Sequence, residues 1–163
     1  MTIKEFKFQY ALGSISYNGL IKIIKKSTSK YILTALSKDK DWNIRRWVAI
    51  NKKTPKKVLA KLSRDSEWRV RMNVAGNRNT PIEALTKLSK DEHWYVRENV
   101  AYNLNTPIEA LTKLSKDKKW TVKNYAAKNP NTPIDILKTL SKDEHRNVRL
   151  RAKETLLDKG IKV

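Results

Sequence analysis

The chain has 163 residues, room for one domain, and its 36 Lys and Arg against 16 Asp and Glu give a formal net charge of +20. Such a field draws in polyanions and excludes an acidic or neutral surface. Cysteine is absent, which excludes disulfides, thiolate metal sites and cysteine nucleophiles.

In chain order, residues 1–27 read as two N-terminal capping helices carrying Phe6, Phe8, Tyr10, Ile21, Ile23 and Ile24. Glu5 comes early, lysines are scattered and no apolar run is unbroken. The segment is therefore expected to be neither signal peptide nor membrane span, and the expected location is cytoplasmic.

A unit of 26 residues then recurs, opening at Thr28, Thr54, Thr80, Thr106 and Thr132, and TPIEALTKLSKD is identical at 80–91 and 106–117. A fixed period of this size marks supersecondary units that bury their apolar faces only by stacking. The expectation is one all-α domain over 1–163, with five repeats over 28–157 and a tail at 158–163.

From the second copy onward each unit starts with Thr-Pro. Thr suits an N-cap and Pro the first helical turn, and Glu83, Glu109 and Asp135 stand three residues on, the spacing of a capping box. Ile82, Ala84, Leu85 and Leu88 follow at helical spacing. Asp39, Asp65, Asp91, Asp117 and Asp143 are expected to cap a second helix, whose stripe includes Val70 with Val74 and Val96 with Val100. Asn51, Asn77, Asn103 and Asn129 are expected to close it in the left-handed conformation. In the last copy Arg146 takes the Trp position, and a polar closing helix faces water.

An Asp followed six residues later by Val-Arg or its equivalent, then Val-Ala-x-Asn, x-x-Thr-Pro and a Leu-rich helix, resembles the variant leucine-rich repeat, a helical repeat akin in style to HEAT repeats. The resemblance covers about residues 28 to 157; Lys123 departs from it where the other copies have Arg. It implies a right-handed α-solenoid of helix pairs that binds protein or nucleic acid, and it implies no reaction.

In HEAT-like arrays an Asp and a base of neighbouring repeats bridge along the stack. That reading assigns Asp39, Arg45, Asp65, Arg71, Asp91, Arg97, Asp117, Lys123, Asp143 and Arg149 to a structural ladder, the alternative being a phosphate-binding stripe. Trp42, Trp68, Trp94 and Trp120 are assigned to inter-repeat core over a base-stacking platform, because neighbouring helices stand about 8–10 Å apart. His93 and His145 recur without a third ligand, so no metal site is expected.

The second helix lines the concave face in HEAT-like arrays, and its arc opposite the Val stripe does not recur. Arg46, Trp47, Arg69, Asn73, Tyr95, Asn99, Tyr102, Asn124, Tyr125, Lys128 and Arg151 there form a candidate recognition strip. A basic ridge of Lys61, Arg64, Lys87, Lys90, Lys113 and Lys116 runs along the first helices' ends, where cations also favour the helix dipole.

The expected function is a non-enzymatic, monomeric module that binds nucleic acid through phosphate, with the strip gripping harder than the ridge. The alternative is a scaffold or inhibitor recognising an acidic protein. A relative of the HEAT-like DNA glycosylases stands third, with Glu98 or Glu154 as its acid. No cofactor, small-molecule substrate or membrane partner is expected.

Overall fold

In the computed structural model, residues 3–162 are described. They form helices paired in chain order: α1 (Ile3–Ala11) with α2 (Tyr17–Lys26), α3 (Lys30–Leu36) with α4 (Trp42–Ile50), and α5 (Lys56–Leu62) with α6 (Trp68–Gly76). The series continues with α7 (Ile82–Leu88) and α8 (Trp94–Tyr102), α9 (Ile108–Leu114) and α10 (Trp120–Lys128), and α11 (Ile134–Leu140) and α12 (Arg146–Asp158). No strand occurs among the described residues. The architecture is an α-solenoid.

First helices of seven residues are too short to persist alone in water, so packing must hold them. Leu33, Leu59, Leu85, Leu111 and Leu137 recur as fully buried side chains on the first helices, facing Ile44, Val70, Val96, Val122 and Val148 on the second. Ala49, Ala75, Ala101 and Ala127 are also buried, and their small side chains let successive second helices approach closely. These second helices pack directly on each other from repeat to repeat, whereas α5, α7 and α9 each lie against the second helix of their own repeat and that of the repeat before. The second helices form the more tightly packed layer of the array.

Three capping expectations are corrected. Thr54, Thr80, Thr106 and Thr132 do not cap the first helices. Their hydroxyls turn inward and donate to the carbonyls of Val48, Val74, Val100 and Ala126 at 2.5–2.6 Å. The N-cap position falls on the Pro, which offers no side-chain acceptor, and the capping box is not formed. A buried hydroxyl next to an orphan helix-end carbonyl finds its best partner there.

The repeated Asp residues sit two positions ahead of the helix N-cap. Each accepts the backbone N–H of Asp41, Glu67, His93, Lys119 or His145 at 2.8–3.0 Å, and these residues occupy the N-cap itself. Nor is the closing Asn left-handed. Asn51, Asn77, Asn103 and Asn129 are extended, and among the described residues only Gly13 and Gly160 have positive φ. Those two glycines follow α1 and α12, and their amides turn back to Tyr10 O and Leu157 O in the left-handed ending that glycine allows.

The Asn side chains work between repeats instead. The Nδ2 of Asn77 donates to Ala49 O at 2.7 Å and Asn51 O at 3.0 Å, while its Oδ1 accepts from Asn79 N. Asn103 and Asn129 repeat the pattern 26 and 52 residues on.

Candidate functional site

The turn from first to second helix holds the charged column. Arg45 grips Asp65 with Nε at 2.6 Å and Nη2 at 2.8 Å, while its Nη1 donates to the carbonyls of Asp39 and Lys40. Arg71 with Asp91 and Arg97 with Asp117 repeat this fork. Lys123 reaches Asp143 with one bond of 2.7 Å and leaves the two turn carbonyls without its help.

Burial pushes the Asp117 carboxyl upward, but the Arg97 fork and the Lys119 amide outweigh it and hold the group below the usual carboxylate range. The column ends differently at its two extremes. Asp39 accepts the Tyr10 hydroxyl at 2.6 Å, and burial together with this bond pushes the phenol up to about 12. Arg149 holds the carbonyls of Asp143 and Glu144 in the same pose and has no carboxylate partner among the described residues. Among the described residues the Asp-to-base rungs are thus four, and Glu92 and Glu144 lie beside Arg71 and Lys123 as second carboxylates at 3.3 and 3.6 Å.

Ridge and ladder share one edge. Lys90, Lys113, Lys116 and Lys118 line a cleft of about 500 Å³ whose floor includes Ser89, Asp91, Arg97 and Asp117. Lys61, Arg64 and Lys87 are exposed at the matching positions. None of the six ridge cations makes an ion pair with a described residue.

Trp42, Trp68 and Trp94 pack against the core as the inter-repeat reading expects, and Trp120 departs from it. Trp42, Trp68 and Trp94 are half-buried and Trp120 is 40% exposed. Each begins a second helix, so its ring lies where the next repeat's turn passes. Trp68 stacks on His93 at 3.9 Å and Trp120 on His145 at 4.1 Å, and both His residues cap their own helix through Nδ1. Arg69 lies 5.4 Å from the Trp42 ring and 4.5 Å from that of Trp68.

The candidate strip on the second helices is divided. Tyr95 leaves it to stack on Trp94 at 3.7 Å. Arg69 pairs with Glu67 and Arg151 with Glu154, and Asn73 and Asn99 donate back to Arg69 O and Tyr95 O. Tyr102 meets Tyr125 edge-to-face at 5.8 Å, beside Glu98, Asn99 and Lys128 in a cleft of about 350 Å³. Burial raises the Glu98 carboxyl, against a smaller lowering by the Thr121 hydroxyl. Asn124 is half-buried on the same face. Trp47 stands apart with Lys25 at 4.3 Å and Arg46 at 5.5 Å from its ring. Arg46 and Lys128 are the strip cations without a carboxylate partner.

No group of three or more His, Cys, Asp and Glu with metal-binding geometry exists among the described residues, and no described helix is long and apolar enough to cross a membrane.

A solved structure described as a leucine-rich repeat variant with a novel repetitive protein structural motif has a similar architecture. It matches with a TM-score of 0.71 and 23% identity over 92% of this chain. The two share a fold. This chain spans 60% of that longer one. The YibA protein of Escherichia coli matches with a TM-score of 0.62 and 17% identity, over 96% of this chain and 75% of its own. An engineered protein matches at 0.56 and 18%, over 98% of each chain. At these identities the likeness concerns the helical-repeat fold. No family model matches the chain, and no curated protein matches it.

Proposed function

We propose that this helical repeat module is non-enzymatic and binds nucleic acid through phosphate contacts made chiefly by the ridge. The observation that carries this is the ridge's uncompensated charge: six exposed cations recur with the repeat above a column whose own charges are spent on each other. This reverses the weighting expected between strip and ridge, because two of the strip's arginines are engaged by Glu67 and Glu154. Phosphate contacts release counterions, so the logarithm of affinity falls with the logarithm of salt by about 0.9 per contact on duplex DNA.

A salt titration of duplex binding tests it. Replacing Lys87, Lys90, Lys113 and Lys116 by Gln is expected to flatten the salt slope by about 3–4. Replacing Arg46 and Lys128 should flatten it by about 2 at most. No binding at low salt, or affinity that ignores salt, overturns the reading and favours an acidic protein partner instead.

A further inference from the structure

Three of the five seams between successive second helices, α4–α6, α6–α8 and α8–α10, are closed by two layers of Asn, and at α10–α12 the Lys159 ammonium donates to Pro130 O instead. Besides the buried Asn column, Asn79 donates to Lys52 O, Asn105 to Arg78 O and Asn131 to Leu104 O, each at 2.6 Å. These bonds tie each turn to the equivalent turn of the preceding repeat. Where α2 meets α4 the equivalent position is Lys53, whose ammonium makes no such bond, and Asn51 bridges the turns by donating to Ile24 O and Ser27 O.

The seam is correspondingly open. A cleft of about 390 Å³ is lined by Lys25, Lys26, Lys52 and Lys53 with Ser27, Thr28 and Trp47, and it contains no carboxylate. It continues through Lys26, Ser27 and Thr28 into a second hollow of about 410 Å³ that adds Lys22. Four ammonium groups facing one cleft repel each other, and none makes an ion pair with a described residue. The C-terminus of α2 favours Lys25 and Lys26, but no carboxylate in the cleft offsets the repulsion among the four. Lys25 also lies over the Trp47 ring, which places that indole as part of the wall.

We infer that this open seam is a discrete seat for clustered phosphate groups, separate from the ridge on the opposite edge of the array. Several ammonium groups and adjacent hydroxyls match a ligand with two or three linked phosphates, since each oxygen can take a charge-assisted hydrogen bond. The linked phosphates can come from a small polyphosphate or from consecutive links of a nucleic-acid strand.

The test uses the full chain with inorganic triphosphate, orthophosphate and a short oligonucleotide, followed by calorimetry and by tryptophan fluorescence. Triphosphate is expected to bind once per chain, more tightly than orthophosphate, with a fluorescence change that Trp47→Phe removes. K52Q/K53Q should weaken triphosphate binding by on the order of tenfold or more, and the four-lysine ridge variant should leave it unchanged. Lys53→Asn is the sharper variant, because it supplies the amide that closes the three seams from α4 to α10. It should keep or raise the melting temperature while lowering triphosphate affinity.

Binding of triphosphate that is not saturable, or that K52Q/K53Q and Lys53→Asn leave intact, overturns the inference. An oligonucleotide that binds the ridge while triphosphate does not bind overturns the seat alone. Triphosphate binding without oligonucleotide binding upholds the seat as one for small polyphosphates and overturns the nucleic-acid reading.

Discussion

Two polar columns run the length of the array on opposite edges, and they hold the same repeats together by different physics. On one edge a carboxylate meets a guanidinium, as at Arg71 and Asp91, and the pair also braces its turn through two carbonyls. On the other edge a neutral Asn is buried and satisfies two carbonyls of the preceding repeat and an amide of its own turn. The charged column carries the pH dependence and sits under the exposed lysines. The neutral column is indifferent to both pH and salt, and it terminates α4, α6, α8 and α10 without a left-handed residue.

The largest effect should come from Arg71→Ala. It leaves the Asp91 carboxylate, whose side chain is 7% exposed, without its partner, and is expected to cost about 3 kcal/mol or more in a urea melt. Asn103→Ala comes next, at about 2–3 kcal/mol, because two buried carbonyls and one amide lose their bonds. Equal losses with equal salt dependence would erase the distinction between the columns.

Acid should separate them further. The Asp117 carboxyl is held below its unfolded value of about 3.9, so its contribution is fully present above that pH and is lost as pH falls through the lower folded value. Stability is expected to drop below about pH 4, and Asp117→Asn should lower stability at pH 7 while removing part of that slope. An unchanged slope would take Asp117 out of the explanation. The smallest effect is a gain. Lys123→Arg restores the fork and the two turn bonds that its neighbours have, and should stabilise by about 0.5–1 kcal/mol in thermal or urea unfolding.

Much of the fold was legible because the period is visible and hydrophobic positions recur within it. Leu85, Leu111, Val96 and Val122 announce buried helix faces by spacing alone. The polar recurrences were legible as positions and not as bonds. Thr80 and Asn103 stand at helix ends, where a local cap and a bond to another element leave the same trace in sequence. Stacking decides between them, since a neighbour's carbonyls lie closer to Asn103 than its own helix's do. Tyr10 lies outside the period, so nothing in the repeat could show that it closes the charged column at Asp39.

The candidate strip was read from a helical wheel, which is blind to side chains two residues away. Glu67 engages Arg69 from the N-cap, and Tyr95 turns toward Trp94 because its ring finds a flat partner there. The Trp column begins the second helices, so Trp42, Trp68 and Trp94 pack on the margin of the core while Trp120 reaches over its edge.

The inter-repeat bonds span fixed separations, 20 residues for the acid and base and 26 or 28 for the amide. A unit inserted in the middle, for example a second copy of 80–105, would therefore bring every partner it needs and ask no residue elsewhere to change. Lys153 stands where Ala49, Ala75, Ala101 and Ala127 let the next second helix approach, so the same unit would not seat after α12. Copy number is thus a free variable of the interior, and the molecule can be lengthened like a ruler, one graduation at a time.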